Sequence, residues 1–391
     1  MSAVPAPVSL DDVVAILSRL IGFDTESSQS NLPLIDWVEG YLDGLGVASV
    51  RVPNESGDKA ALFATIGPMR DGGVVLSGHS DVVPVEGQIW TSDPFTLRRE
   101  GGRVYGRGAC DMKGFDAIVL AMAAQWRHMA LKSPIHILIS YDEETTCLGP
   151  VDTIARFGLD LPRPRAVIVG EPTSMLVVDA HKSVATYMTT VIGHEAHSSK
   201  PALGANAVEG ACELVTELYR IGREIAALGD PSGRFDPPAS TIHVGTIHGG
   251  TARNILAREC TFHWEFRGLP GVAPDFALKR LNEYAETVLL PRLRRHAPDA
   301  DVITTTEIEV PGLAPEPGSP AESLALRLTQ SNSCLAVAFA TEGGRFQSAG
   351  VPTIVCGPGS IDQAHQPDEY IEEAQIEAAL AFMRSLADEM S

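Results

Sequence analysis

No apolar run in this chain approaches the ~18 residues that a membrane-crossing helix requires, so no membrane partner is expected. There is no CxxC pair either. Six cysteines (Cys110, Cys147, Cys212, Cys260, Cys334, Cys356) are scattered without regular spacing. That excludes a zinc–thiolate knuckle and argues against a disulfide framework, leaving reduced thiols in a cytoplasm as the expectation. Basic residues are scarce beside acidic ones, 30 Lys and Arg against 50 Asp and Glu, giving a formal charge of −20. Nucleic acid demands a basic face, and this composition denies one. The acidity is either a solvated surface or, in part, a cleft for cations. Met1 to Pro5 lack the basic and apolar segments of a secretory signal, which again fits the cytoplasm. A phosphate loop is missing too: Gly106-Arg107-Gly108 has neither the third glycine of a dinucleotide fingerprint nor a Gly-Lys-Ser/Thr ending.

What is present is a globular composition, 44% hydrophobic and 20% charged, in 391 residues, enough for two domains with separate cores. An amphipathic helix begins after Ser9, with acids in its first turn, and a second spans residues 31–45. Strand-like runs follow at 48–52, 61–66 and 74–76. A helix is expected over 115–129, a strand over 134–141 and another over 166–169. From Ser183 the texture changes to an alternating strand, one long helix at 205–228, strands at 241–247 and 259–267, and a helix from Pro274 to about Leu289. That order reads as a compact α+β unit inserted at 183–295, between a first part at 1–182 and a second at 296–391. A Pro- and Gly-rich connector at 311–320 returns the chain to α/β texture and a final helix at 370–390.

The chemistry-bearing residues follow the strands. His79 and Asp81 close the run Val74-Val75-Leu76-Ser77-Gly78, two residues apart and so pointing the same way. Asp81 is suited to fixing the second ring nitrogen of His79, or to supporting neighbouring ligands. Asp111 sits in a glycine-flanked turn at a helix start, as an oriented carboxylate or as a simple N-cap. Asp142-Glu143-Glu144 ends a buried strand, and three adjacent acids there repel one another unless cations or protons compensate. Glu171 is pinned between Gly170 and Pro172 after another apolar strand, and His365 follows a Gly-rich turn. Ligands of open α/β sheets gather at strand ends of this kind.

Together, Gly78-His79-Ser80-Asp81, Gly106-Arg107-Gly108 with Asp111-Met112-Lys113-Gly114, Asp142-Glu143-Glu144, Gly170-Glu171-Pro172 and His365 resemble, in order and approximate spacing, the M20 co-catalytic metallopeptidases. Further stretches, among them Ala196-His197-Ser198-Ser199 and Thr341-Glu342-Gly343-Gly344-Arg345, resemble the members that deacetylate N2-acetyl-L-ornithine. The resemblance implies an α/β catalytic domain with a mixed central sheet flanked by helices, plus an inserted α+β ferredoxin-like dimerisation (lid) domain. It implies two zinc ions per subunit, with cobalt able to substitute: His79 and Glu171 on one, Glu144 and His365 on the other, and Asp111 between them. Asp81 would support the ligands, Glu143 would be the general base, and His197, from a partner subunit, would steady the acyl oxygen. Asn254 and Arg267 would meet the substrate carboxylate and Glu342 its ammonium. The alternatives are a surface His197, a solvent-facing Arg267 and a loop acid at Glu342. The implied substrate is a small N-acyl amino acid and the implied assembly a homodimer; related desuccinylase and dipeptidase activities use the same chemistry. Thr145-Thr146-Cys147 and Trp264-Glu265-Phe266-Arg267 depart from the usual pattern, and Cys110 is expected to be a small packed residue.

Overall fold

The computed structural model describes residues 7–391. The chain forms two compact units. One comprises the residues up to Ala180 with Pro315–Leu335 and Thr341–Ser391, the other His181–Ala314 with Ala336–Ala340.

The first unit is built on a mixed sheet. Its spatial order is Ser49–Pro53, Ala60–Ile66, Ile135–Ser140, Val74–His79, Ala166–Pro172, Thr353–Gly357 and Val178–His181, whose last residue begins the second unit. The four central strands, from Ile135–Ser140 to Thr353–Gly357, run parallel, and antiparallel partners flank them. Their sequences are nearly continuous apolar runs, as expected of strands covered on both faces. Every residue of Val74–His79, Ile135–Ser140 and Ala166–Pro172 is buried. One covering element is helix Lys113–Trp126, which is apolar around its circumference and buried along almost all its length. Helix Leu10–Ile21 packs on it, started by a capping box between Ser9 and Asp12. Helix Glu373–Met390 packs there as well.

Two glycines set how closely that helix approaches the sheet. A Cβ on Gly170 would lie 2.2 Å from the Phe115 ring, and one on Gly78 would lie 2.2 Å from Asp116 Oδ1. Phe115 is 1% exposed, a burial that contributes roughly 1.5–3 kcal/mol. Because the central strands are parallel, their carboxyl ends share one edge of the sheet. His79, the loop at 142–144, Glu171 and the chain leaving Gly357 therefore all emerge on that edge.

The second unit is a four-stranded antiparallel sheet ordered Thr241–Gly249, Glu259–Gly268, Ser183–Ile192, Asp301–Val310, with helices Ala207–Ala226 and Phe276–Tyr284 on one face. Its chain order is strand–helix–strand–strand–helix–strand, the ferredoxin-like arrangement. Cys260, Phe262, Trp264 and Phe266 share the buried face, as their alternation predicts. Trp264 stacks on Tyr187 at 4.3 Å and donates to Thr189 Oγ1.

Three local differences from the sequence reading have physical causes. Strand Asp301–Val310, beyond the expected boundary at 295, pairs with residues 184–192 and belongs to the second unit. Its Thr- and Glu-rich outer face hides the alternation. The expected single helix from Pro274 becomes Phe276–Tyr284, a wider turn at Ala285–Leu289 and a short turn at Leu290–Leu293. Pro291 offers no N–H to continue the regular ladder. Residues Tyr370–Glu372, expected as helix, form a strand on Arg103–Tyr105 before helix Glu373–Met390 begins.

Candidate metal centre

His79 ends its strand with the ring fully buried. Its Nδ1 lies 2.9 Å from the Asp81 carbonyl oxygen and 3.5 Å from Asp81 Oδ1. A proton on Nδ1 donated to that carbonyl leaves Nε2 as a free electron pair. Nε2 lies 3.2 Å from Asp111 Oδ1, 3.6 Å from Glu171 Oε1 and 4.0 Å from Glu143 Oε2. For Asp81, the group nearest the second ring nitrogen is thus the carbonyl rather than the expected carboxylate. Its backbone oxygen orients His79, while its carboxylate accepts the Glu143 and Glu144 amides at 3.2 and 3.3 Å and the Ser27 hydroxyl at 2.7 Å.

Asp111 does not cap the following helix; Met112 occupies the N-cap position without a side-chain bond. Instead its two oxygens face different histidines: Oδ1 faces His79, and Oδ2 lies 3.3 Å from His365 Nε2. His365 Nε2 is also 3.0 Å from Glu144 Oε2. Two groups of three side chains each bring possible ligand atoms within 4.8 Å of one another: His79, Asp111 and Glu144, and His79, Glu143 and Glu171. Glu171 Oε1 is buried without a hydrogen-bond partner.

So many buried acids are electrostatically unsettled. Burial pushes Glu144 up to about 7, helped by the charge of Asp111 and opposed by its hydrogen bond to His365. Burial raises Glu171 well above the usual carboxylate range, with Asp111 and Glu143 adding repulsion. Glu143 is likewise raised by burial, against the pull of His79. Burial opposes charging of His79, yet hydrogen bonds with Asp111 and Asp81 outweigh it and hold the ring well above its ordinary value. His365 rises to about 10 through hydrogen bonds with Asp111 and Glu144. Asp111 is held low, because contacts with His365 and His79 outweigh its burial. Crowding of this kind is what bound cations would relieve. The donors are imidazole nitrogens and carboxylate oxygens with no thiolate, a set suited to zinc or cobalt. Cys110, beside Asp111, is 1% exposed, and burial pushes its thiol up, so it is a packed residue as expected.

The remaining expected residues are distributed as follows. Glu342 is 1% exposed and accepts from Ser77 Oγ at 2.5 Å and Ser140 Oγ at 2.7 Å, both on strands leading into the site. Its carboxylate is committed to those serines, which alters the expectation that it meets a substrate ammonium. His197, Asn254 and Arg267 lie in the second unit. His197 is exposed, its Nδ1 accepting from Ser199, and the Ser198 amide donates to the Asn254 carbonyl, which brings these two side by side. Arg267 is half-buried on strand Glu259–Gly268 and pairs with Glu265 at 3.2 Å. Gln88 and Glu369 carry no local pattern that distinguishes them from surface polar residues, and Arg107 is marked only by its place between Gly106 and Gly108, although Arg107 and Glu369 are each 1% exposed.

Known proteins share this organisation. The family model described as Peptidase family M20/M25/M40 matches residues 75–389. The chain is 32% identical over 387 residues to an acetylornithine deacetylase of Pasteurella multocida, covering 99% of this chain and 98% of that protein. It is 35% identical over 354 residues to one from Salmonella paratyphi B, covering 89% and 88%. Among solved structures it is similar in fold to aminopeptidase PepT of Bacillus cereus, with a TM-score of 0.75, 18% identity and coverage of 98% and 99%. An M20 family metallo-carboxypeptidase of Sulfolobus solfataricus gives a TM-score of 0.73 at 17% identity, covering 96% and 98%.

Proposed function

The chain belongs to peptidase family M20/M25/M40, and from that premise we propose that it hydrolyses the amide bond of N2-acetyl-L-ornithine to acetate and L-ornithine. The observation that supports the metal chemistry is the convergence of Asp111, Glu144 and Glu171 on His79, with His365 Nε2 3.3 Å from Asp111 and 3.0 Å from Glu144. In this proposal His79 and Glu171 hold one divalent cation, Glu144 and His365 hold a second, and Asp111 serves both. Zinc is the proposed metal, with cobalt as a functional substitute. Bound there, a cation pair supplies Lewis acidity toward the acyl oxygen and makes water a better acid.

The protein's own groups do the rest. Asp81 fixes the His79 ring through its carbonyl and fixes the Glu143-Glu144 turn through its carboxylate. Glu143 takes the proton of the attacking water as its oxygen bonds to the acyl carbon. It then delivers that proton to the amine nitrogen as the C–N bond breaks. We assign His197 to donate a hydrogen bond to the acyl oxygen, in a homodimer where the partner subunit provides it. Arg267 and the neighbourhood of Asn254 are proposed to receive the substrate carboxylate. Glu342, engaged by two serines, is proposed to brace the strands of His79 and Ser140 rather than to contact substrate. A cytoplasmic setting fits the scattered free thiols.

The test is turnover of N2-acetyl-L-ornithine, N-succinyl-diaminopimelate and dipeptides by metal-stripped and zinc- or cobalt-reloaded protein. The reading expects the acetyl substrate to have the highest kcat/KM. A preference for either alternative by tenfold or more replaces it with a desuccinylase or dipeptidase.

A further inference from the structure

Two of the candidate ligands, Asp111 and His365, come from segments far apart in the chain, and one buried acid ties these segments together. Glu369 uses all of its acceptor capacity on the turn that carries Asp111. Its Oε2 accepts from Arg107 Nη1 at 2.7 Å and the Gly108 amide at 3.0 Å. Its Oε1 accepts from the Cys110 amide at 2.8 Å and from the amide of Asp111 itself at 3.0 Å. The Gly106 amide donates to its backbone oxygen at 3.0 Å. Glu369 and Arg107 are each 1% exposed, so this charge pair is desolvated and its geometry closely determined.

The connection then runs on to His365. Arg107 Nη2 donates to Gln88 Oε1 at 2.5 Å, and Gln88 Nε2 donates to the His365 carbonyl at 2.9 Å. That bond holds a residue whose φ of 61° lies in the left-handed region, where a non-glycine residue needs external support. Glu369 is also only four residues beyond His365, so the same short segment carries a ligand and the group that orients its counterpart.

We propose that Glu369 is a positioning residue that couples Asp111 to His365, acting with Arg107 and Gln88 as one hydrogen-bonded clamp. The inference rests on the proposed two-cation site. The clamp serves the cation assigned to Glu144 and His365 most, because two of that ion's three ligands, Asp111 and His365, depend on it. The cation assigned to His79 and Glu171 shares only Asp111.

The clamp is tested by titrating metal-stripped wild type, Glu369→Gln and Gln88→Ala with zinc by calorimetry, together with metal content and melting temperature. Glu369→Gln puts an amide NH2 where two N–H donors already point, whichever way it turns. It is expected to weaken one of two zinc sites by about 10- to 100-fold, the range for losing support behind a ligand, and to leave the other within about threefold. Gln88→Ala, at a partly exposed position, is expected to weaken the same site by about tenfold. Should Glu369→Gln fail to fold, Gln88→Ala decides by the same measurement. A merely structural clamp would lower the melting temperature of the metal-free protein and leave both affinities at the wild-type level, which overturns the inference. Wild-type protein binding fewer than two ions would instead overturn the two-cation reading, and the inference with it.

Discussion

Replacing Glu143 with Gln separates chemistry from metal retention. Gln is nearly isosteric, and the contacts that fix residue 143 survive: its amide still donates to Asp81 Oδ1 at 3.2 Å, and Cys147 Sγ still meets its side-chain Oε1 at 3.4 Å. The nearest histidine nitrogen is 4.0 Å away, the longest of the His79 ion-pair distances, yet Glu143 belongs to one of the two groups around His79, so metal content must be read beside turnover. What the substitution removes is the capacity to accept a proton from water and hand it on. A general base of this kind contributes about 10²–10⁴ in rate, or roughly 3–5.5 kcal/mol of barrier at 1.36 kcal/mol per decade. The variant should therefore lose two to four decades of kcat, with KM changed by less than about threefold and two zinc ions retained at saturating metal. Steady-state kinetics and metal analysis of one preparation decide the matter. Loss of one ion would make Glu143 a ligand, and kcat within tenfold of wild type would deny it a role in proton transfer.

Metal-free protein should respond to pH in a direction fixed by its protonated cluster. Glu144 is raised from 4.5 to about 7 and His365 from 6.5 to about 10, so the native state binds protons more tightly than the unfolded chain across both windows. Stability then falls as pH rises from about 4.5 through 7 and again from 6.5 toward 10. Melting should be lower at pH 8 than at pH 6, and zinc should raise the melting temperature more at pH 8; a metal-free protein that gains stability over that interval would contradict this. Chelation should abolish activity and zinc or cobalt restore it, while magnesium, which prefers all-oxygen octahedra, should not; rescue by magnesium alone would point to an oxygen-only site. Gly170→Ala forces a methyl into the Phe115 ring and should cost about 1–3 kcal/mol by overpacking. Denaturant unfolding measures that cost, and an unchanged midpoint would show that the helix can shift freely.

Much of the site was legible because strand chemistry is local. An apolar run marks His79, Glu143-Glu144 and Glu171 as strand-end residues, with a glycine just before His79 and Glu171, and parallel strands deliver such ends to one edge. Trp264 and its neighbours declared their buried face through period-two alternation. Strand Asp301–Val310 did not, because an edge strand with Thr and Glu on its outer side lacks the contrast that marks a half-buried strand. Glu342 reads locally as a loop acid; only the fold puts Ser77 and Ser140 against it. Glu369 was invisible for the same reason, since its four side-chain donors lie more than 250 residues away in the chain.

His79, Asp111, Glu144, Glu171 and His365 are proposed to hold a pair of cations between them. Anomalous diffraction from a zinc-loaded crystal at the zinc edge tests it most directly. Two peaks about 3.5–4 Å apart, the spacing of two-metal hydrolytic sites, are expected, with Asp111 bound to both. A single peak, or peaks that leave Asp111 or His365 unbound, would contradict it.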